Sequence, residues 1–115
     1  MGLGTDIIEI ERIRGNMNER FLCRIFTAKE RERIEDKSYR AAGIFAAKEA
    51  VSKALGTGIC GFGWKDIEIL KKENGEPYVS LHGKAEAIAK EQGIKKMEIT
   101  ISHCREYATA VASCR

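Results

Sequence analysis

Residues 38–58, SYRAAGIFAAKEAVSKALGTG, form the stretch that decides the fold. Its many alanines, together with leucine, lysine and glutamate, favour the helical conformation and predict the longest helix of the chain. Ser38 can cap the beginning of this helix, and a glycine directly after Leu55 is typical of a helix end. The apolar residues that can line one face are Ile44, Ala47, Val51, Ala54 and Leu55. A helix with one apolar face packs against another layer, for which the predicted strands are available.

Upstream of the long helix, the sequence predicts one strand and two helices. Residues 3–10 are rich in β-branched side chains and are typical of a strand, and the charged and apolar stretch up to about Arg24 is typical of a helix. Thr27 and Glu30 have the spacing of a capping box, in which each side chain accepts a backbone N–H of the other residue. A short helix should therefore begin there.

Downstream of the long helix, strand patterns dominate. Residues 66–71 and 77–81 are strand-like, and Asn74-Gly75 between them is a strong hairpin signal because both residues tolerate positive φ. Further along, we expect a helix over 84–92 closed by Gly93, and strands over 97–101 and 107–111. The chain, residues 1–115, is expected to be one α+β domain, in which an antiparallel sheet packs with one long helix and shorter helices.

The composition is that of a small globular protein. Of 115 residues, 43% are hydrophobic and 32% charged, which excludes a disordered chain. No apolar run approaches the roughly 20 residues of a membrane-spanning helix, and the N-terminus lacks the layout of a secretory signal. The four cysteines are scattered without a zinc or redox spacing, so we expect free thiols and a cytoplasmic location.

The positive charge is modest overall but clustered near the N-terminus. The net charge of +3 does not by itself indicate nucleic-acid binding. The clustered residues are Arg12, Arg14, Arg20 and Arg24. A basic RNA-binding adaptor is the main alternative from a different class. It is disfavoured because the chain lacks an aromatic-rich RNA-recognition motif, so we expect neither nucleic acid nor membrane as a partner.

Two acidic positions are candidates for metal or catalytic chemistry. Asp6 interrupts the apolar pattern of the first strand, where a carboxylate more often marks a strand end or a capped turn. Glu49 and Lys53 are four residues apart on the long helix, so both side chains project from the same side. An exposed ion pair is the ordinary interpretation of that spacing, and it contributes about 0.3–0.5 kcal/mol.

Two further motifs are candidates for ligand contacts. Gly56-Thr57-Gly58 follows the helix, and glycines allow a backbone to approach a phosphate closely, although a helix C-cap explains Gly56 equally well. Ser102-His103 ends an alternating strand, where a histidine is more often a hydrogen-bonded surface residue than a catalyst. Each of these signals is weak alone.

Taken together, the motifs resemble the holo-[acyl-carrier-protein] synthase family, the small bacterial class of 4′-phosphopantetheinyl transferases. The matching blocks are GLGTDIIEIERI at 2–13, FAAKEAVSKALGTG at 45–58, DIEI at 66–69, NGEP at 74–77 and ISH at 101–103. They occur in the family's order across nearly the whole chain. The Asp motif followed by Lys-Glu-Ala-x-x-Lys is specific for the superfamily, and the Gly-Thr-Gly loop with the Ser-His ending indicates the small class.

The resemblance implies an enzyme of fatty acid biosynthesis and the phosphopantetheinyl transferase fold. With Mg2+, it would move the 4′-phosphopantetheine arm of coenzyme A onto a serine of apo acyl carrier protein and release adenosine 3′,5′-bisphosphate. Asp6 and Glu49 are the implied metal ligands, which suits a cation that usually takes one or two carboxylates plus substrate phosphates. The implied catalytic residues are Asp6, Glu49 and Lys53, of which Lys53 steadies the diphosphate and can protonate the leaving group. The general base stays open between Glu49 and a metal-bound water.

The resemblance also implies a set of coenzyme A contacts. They are Lys48, Lys53, Gly56, Thr57, Gly58, Pro77, Ser102 and His103. Lys48 can face either a phosphate or the solvent. The family commonly has a basic residue directly before Phe-Ala-Ala-Lys-Glu-Ala, where this chain has Ile44, so Lys48, Lys53 or another basic residue must compensate.

The partner implied by the resemblance is an acidic carrier protein. Arg12 matches a carrier-docking position, and Arg20 and Arg24 lie along the same predicted helix. The small class assembles as trimers with sites at subunit junctions, so we expect a homotrimer. Two closer alternatives remain, a transferase for another carrier, such as a peptide-synthesis carrier domain, and a member that has lost activity at Ile44.

Overall fold

The computed structural model describes residues 2–58 and 63–115. Its elements in chain order are β1 (Gly2–Glu9), α1 (Ile10–Arg14), α2 (Glu19–Ile25), α3 (Ala28–Ile34), α4 (Ser38–Ala54), a 3-10 turn (Trp64–Asp66), β2 (Ile67–Lys71), β3 (Pro77–Leu81), α5 (Gly83–Glu91), β4 (Met97–His103) and β5 (Tyr107–Cys114). Helices and antiparallel strands are thus both present, and the α+β prediction is confirmed.

The strands form two antiparallel sheets. In the larger sheet the order is β1-β5-β4, so β5 lies in the centre, and β1 and β4 form the two edges. Asp6 of β1 lies opposite Ala110 of β5, which lies opposite Ile101 of β4. The smaller sheet is the hairpin of β2 and β3. The first and last strands of the chain are therefore neighbours.

Helix α4 packs on one face of the larger sheet, and small residues let it come close. The inward residues of β5 are Ala108, Ala110, Ala112 and Cys114, all buried. The apolar face predicted for α4 is also buried, from Ile44 to Leu55. Small side chains on the sheet bring the helix backbone near the strands, so residues of α4 can meet residues of β1 directly.

The predicted helix up to Arg24 is in fact two helices, which is a correction. The segment between Arg14 and Glu19 leaves the helical path, and Asn18 restarts it by accepting the backbone N–H of Phe21 at 2.9 Å. An Asx side chain in extended backbone is a strong N-cap. Arg12 therefore lies on a different helix from Arg20 and Arg24.

The cap predicted for α4 is also corrected. Lys37 occupies the N-cap position without a side-chain cap bond, and Ser38 is already helical. The Ser38 hydroxyl instead accepts a hydrogen bond from Arg14 Nε at 3.2 Å. This contact joins the end of α1 to the beginning of α4.

The other local signals are confirmed with small shifts in their boundaries. The capping box of α3 is complete, with Thr27 and Glu30 each accepting the other's backbone N–H. Gly75 in the β2–β3 turn and Gly93 after α5 both have positive φ. Strands β4 and β5 run further than predicted, to His103 and Cys114. Among the residues described, no helix is long and apolar enough to cross a membrane.

Candidate active site

The site predicted from Asp6, Glu49 and Lys53 lies where β1 crosses α4. Gly4 brings the two backbones into contact, because a Cβ placed on it would stand 2.0 Å from the carbonyl oxygen of Ala50. Lys53 Nζ lies 3.3 Å from Asp6 Oδ1 and donates to the Thr5 carbonyl at 3.0 Å. The structure therefore brings residues from distant parts of the sequence to one place.

In this group, the environment of Glu49 disfavours the ionised form of its carboxyl group. Burial raises the pKa of Glu49, the negative charge of Asp6 raises it further, and Lys53 opposes both effects. Within residues 2–58 and 63–115, the Glu49 carboxylate has no hydrogen-bond or ion-pair partner. A partly buried carboxylate beside a second one is an arrangement that a cation relieves.

The carboxylates of Asp6 and Glu49 suit a divalent cation whose remaining ligands come from a bound phosphate compound and water. In the described part of the chain, no group of three or more His, Cys, Asp or Glu side chains could hold a metal on its own. Asp6 and Glu49 supply two hard oxygen ligands. Mg2+ usually takes one or two carboxylates and completes its shell with phosphate oxygens and water. These two residues can hold Mg2+ together with a diphosphate.

Lys48 is the clearest correction to the predicted ligand contacts. Its side chain is fully buried, and so is that of Glu30, whose Oε1 lies 2.9 Å from Lys48 Nζ. The same ammonium donates to the carbonyls of Ile67 at 2.5 Å and Trp64 at 3.1 Å. Burial lowers the pKa of Lys48, and the Glu30 charge opposes that effect. With its donors used inside the fold, Lys48 faces neither a phosphate nor the solvent.

The Gly56-Thr57-Gly58 loop starts one turn beyond Lys53, at the end of α4. Gly56 and Gly58 both have positive φ. The N–H groups of Gly56 and Thr57 donate to the carbonyls of Lys53 and Ser52, as at an ordinary helix C-terminus. These two N–H groups close the helix, so the loop's contribution to a ligand must come from other atoms of these residues.

A cavity of about 690 Å³ lies on the opposite side of α4, at the β4 edge of the sheet. Pro77 and His103, both predicted as ligand contacts, line it. The His103 ring stacks on Tyr39, with centroids 5.0 Å apart. Ser102 is not part of this wall, because side chains alternate along β4 and Ser102 points to the other face of the sheet. The structure thus separates Ser102 from His103.

Basic residues that the sequence analysis missed also line the cavity. They are Arg33, Arg40 and Lys71, and the carboxylate of Glu35 lies in the same wall. Arg33 donates to the Ile69 carbonyl at 2.9 Å, and burial lowers its pKa. Arg40 lies one helical turn before Ile44, which is in the same wall. The i, i+4 spacing of Arg40 and Ile44 was the available signal.

The three arginines predicted to dock a carrier lie outside both sites. Arg12 is exposed on α1, and Arg20 and Arg24 are exposed on α2. Arg14, by contrast, forms an ion pair with Glu11 and holds Ser38. Among the described residues, the members of this cluster that form no ion pair are therefore Arg12, Arg20 and Arg24.

Comparison with known proteins gives a consistent result. A family model described as the 4′-phosphopantetheinyl transferase superfamily matches residues 2–112. A holo-[acyl-carrier-protein] synthase of Caldanaerobacter subterraneus subsp. tengcongensis is 55% identical over 115 residues, covering 96% of this chain and 91% of the relative.

Solved structures agree with that relative. The holo-[acyl-carrier-protein] synthase of Helicobacter pylori in complex with coenzyme A has a TM-score of 0.89 and 33% identity, covering 98% of this chain and 99% of that one. The synthase of Neisseria meningitidis has a TM-score of 0.90 and 30% identity, covering 99% and 97%.

Proposed function

The chain belongs to the 4′-phosphopantetheinyl transferase superfamily, and from that membership we infer that it is a holo-[acyl-carrier-protein] synthase. It transfers the 4′-phosphopantetheine arm of coenzyme A to a serine of apo acyl carrier protein. The observation that carries this conclusion is the meeting of Asp6, Glu49 and Lys53 between β1 and α4. The proposed setting is fatty acid biosynthesis in the cytoplasm.

Asp6 and Glu49 are proposed to hold Mg2+ together with the diphosphate of coenzyme A. The cation would neutralise the charge that builds up on the phosphoryl oxygens. Two carboxylates with one lysine leave this site short of positive charge, and the pKa of Glu49 is raised by burial first and by the negative charge of Asp6 second. The protein's own part is to hold the two carboxylates in place.

The reaction is a displacement at phosphorus. The serine hydroxyl of the carrier gives its proton to the general base, and its oxygen forms a bond to the phosphorus that bears the pantetheine arm. The bond from that phosphorus to the 5′-phosphate oxygen of adenosine 3′,5′-bisphosphate breaks. Such transfers depend mainly on positioning and on charge stabilisation. Lys53, one turn beyond Glu49 and beside Asp6, is proposed to steady the negative charge that develops on the 5′-phosphate of the leaving adenosine 3′,5′-bisphosphate.

The nucleotide end of coenzyme A is proposed to occupy the cavity lined by His103, Pro77 and the basic residues. Asp6 lies on one edge strand of the sheet and the cavity on the other, about 10 Å apart by strand spacing, with α4 across the sheet between them. A ligand that uses both regions is more simply held by the Asp6 side of one subunit and the cavity of its neighbour. This supports the homotrimer with sites at subunit junctions.

Arg40 is proposed to supply the positive charge that Ile44 lacks. It lies one turn earlier on α4 and lines the same cavity. Its guanidinium is held by the Arg33 carbonyl at 2.9 Å and by Glu35 at 3.1 Å. Its other N–H groups form no hydrogen bond to the residues that the structure describes and can bind a phosphate, which argues against loss of activity at Ile44.

The carrier is proposed to be acidic and to dock on Arg12, Arg20 and Arg24. Complementary charge mainly accelerates encounter and sets orientation. A peptide-synthesis carrier domain remains the alternative substrate. Measuring kcat/KM for each of the two apo carriers decides between them, since the preferred substrate has the higher value.

Intact-mass measurement tests the proposed function. The protein, coenzyme A, Mg2+ and apo acyl carrier protein should yield a carrier that is heavier by one phosphopantetheine. Asp6→Ala and Glu49→Ala should each reduce the rate by about 10²-fold or more while the fold persists. Glu91→Ala, at an exposed carboxylate on α5, is the matched control and should keep full activity. No mass gain with any carrier would refute the assignment.

A further inference from the structure

A fully buried ion pair lies directly beside the proposed metal ligand Glu49. Lys48, the preceding residue of α4, pairs with Glu30 of α3, and both side chains are 0% exposed. A buried ion pair is a weak source of stability, because removing two charges from water costs about as much as their attraction returns. Its position therefore needs an explanation other than stability.

The pair joins four elements at one point, namely α3, α4, β2 and the 3-10 turn. Glu30 Oε2 accepts the backbone N–H of Ile69 in β2 at 2.7 Å, and Oε1 accepts that of Thr27 at the start of α3 at 2.8 Å. Lys48 donates to the carbonyls of Ile67 and Trp64 on the other side. The backbone N–H groups of Thr27 and Ile69 fix the Glu30 carboxylate, and Lys48 Nζ is fixed between that carboxylate and two carbonyls, so a slide or rotation of α4 about its axis would break the Lys48 contacts.

We propose that the Lys48–Glu30 pair positions Glu49 for the transfer reaction. Consecutive side chains on an α-helix point about 100° apart, so fixing Lys48 toward α3 and β2 also fixes the direction of Glu49. Glu49 then faces β1 and Asp6, whose charge acts on it. Lys48 is a positioning residue and not a ligand contact. The inference rests on the proposed function, since it assigns a role within the same site.

The test uses two variants and a control in the full chain. Lys48→Met removes the ammonium at similar length, and the double variant Glu30→Gln/Lys48→Met removes both charges, which guards against unfolding from an unpaired buried carboxylate. Ile34→Val, a small change at a buried position on the same helix as Glu30, is the control for lost packing. All proteins are compared at a temperature where circular dichroism shows them fully folded.

Two measurements separate positioning from stability. In turnover, kcat should fall about tenfold or more in both Lys48 variants, with KM for the carrier unchanged, because the carrier arginines lie on other helices. In calorimetric titration without carrier, Mg2+ should strengthen coenzyme A binding to the wild type and to Ile34→Val but far less to the Lys48 variants. A folded double variant with wild-type kcat and a wild-type Mg2+ effect would overturn the proposal.

The failure of the proposed function gives a different result. Wild-type protein that transfers nothing to any carrier contradicts the function and takes this inference with it. Wild-type protein that is active but binds coenzyme A equally with and without Mg2+ contradicts only the metal site. In that case kcat of the double variant still decides whether Lys48 positions the site, since a fall supports the role and an unchanged value excludes it.

Discussion

Glycine at position 4 makes the active site geometrically attainable. A Cβ there would stand 2.0 Å from the Ala50 oxygen and 2.7 Å from the Ala54 nitrogen. No relaxation of a side chain removes such a clash, because both atoms belong to the helix backbone. Strand β1 would have to move away from α4, and Asp6, two residues further along β1, would move with it.

Gly4→Ala is therefore expected to lower the free energy of unfolding by about 3 kcal/mol, at the upper end of typical overpacking costs. Activity should fall as well, even in the folded fraction. Gly15→Ala is the matched control, since a Cβ there meets no atom closer than 3.6 Å and its φ is −67°. That control should be neutral or slightly stabilising. Urea denaturation of both variants measures the difference.

Glu49 gives a prediction about pH at the same scale. Because burial and then the charge of Asp6 raise its pKa in the folded protein, the folded state binds this proton at higher pH than the unfolded chain. The stability that Glu49 contributes is present below its unfolded pKa and is lost as the pH rises through the folded pKa. At neutral pH, ionised Glu49 therefore destabilises the metal-free protein.

Glu49→Gln should consequently melt at a slightly higher temperature than the wild type at pH 7 in the presence of a chelator. The difference should disappear below about pH 4, where the wild-type carboxyl is protonated in both states. Adding Mg2+ and coenzyme A should reverse the order, since only the wild type gains from the metal. Melting curves across this pH range would contradict the prediction if the variant were less stable at pH 7 than the wild type.

At the scale of elements, most local signals in the sequence predicted the local structure, although the cap expected at Ser38 did not form. The capping box of Thr27 and Glu30, the Asn74-Gly75 turn and the end of α4 depend on residues a few positions apart, and all three are present. The break before α2 also had a local signal in Asn18, which the charged and apolar pattern around it obscured. Boundaries of strands were less accurate, because pairing across a sheet extends them.

The role of Lys48 could not be predicted from its neighbours in sequence. Lysine side chains are usually exposed. The burial of Lys48 depends on Glu30, which lies on another helix. The same holds for the basic cavity, where Arg33, Arg40 and Lys71 come from three elements. The carboxylate pair was anticipated only through the resemblance, since no spacing relates Asp6 to Glu49.

The division of the N-terminal arginines between α1 and α2 leads to a prediction about docking. Arg12→Glu should raise KM for the carrier about tenfold at low salt and leave the affinity for coenzyme A unchanged, because the residue is exposed and lies on neither wall of the active site. The effect should shrink as ionic strength increases. Lys84→Glu, an equal charge reversal on α5, is the control. Equal KM values for the two variants would contradict the docking role.

At the scale of the whole molecule, the described part of the chain covers the larger sheet on one side only. Helix α4 covers the inner face, while Leu3 and Ile7 of β1 are 71% and 65% exposed on the outer face, beside the exposed Tyr107 and Val111 of β5. Sequence patterning predicted the strands. It did not predict that β1 and β5, the first and last strands of the chain, would place apolar residues on the same outer surface. Exposed apolar patches of this kind mark interaction sites.

One arrangement of subunits explains both the exposed apolar residues of the outer face and the separation of Asp6 from the cavity at His103. If subunits pack through this face around a threefold axis, the apolar side chains are buried, and the Asp6 edge of one subunit can approach the His103 edge of another.

Ile7→Glu places a charge in that contact and leaves the monomer core intact, since Ile7 points away from α4. Light scattering should show a fall from three chain masses to one, and coenzyme A binding should weaken at least tenfold. Val111→Glu should behave alike, although it lies on a different strand from Asp6. Ala87→Glu, on the exposed face of α5, should remain trimeric. A monomeric wild type with full activity would refute the shared site, because one chain would then supply both of its edges.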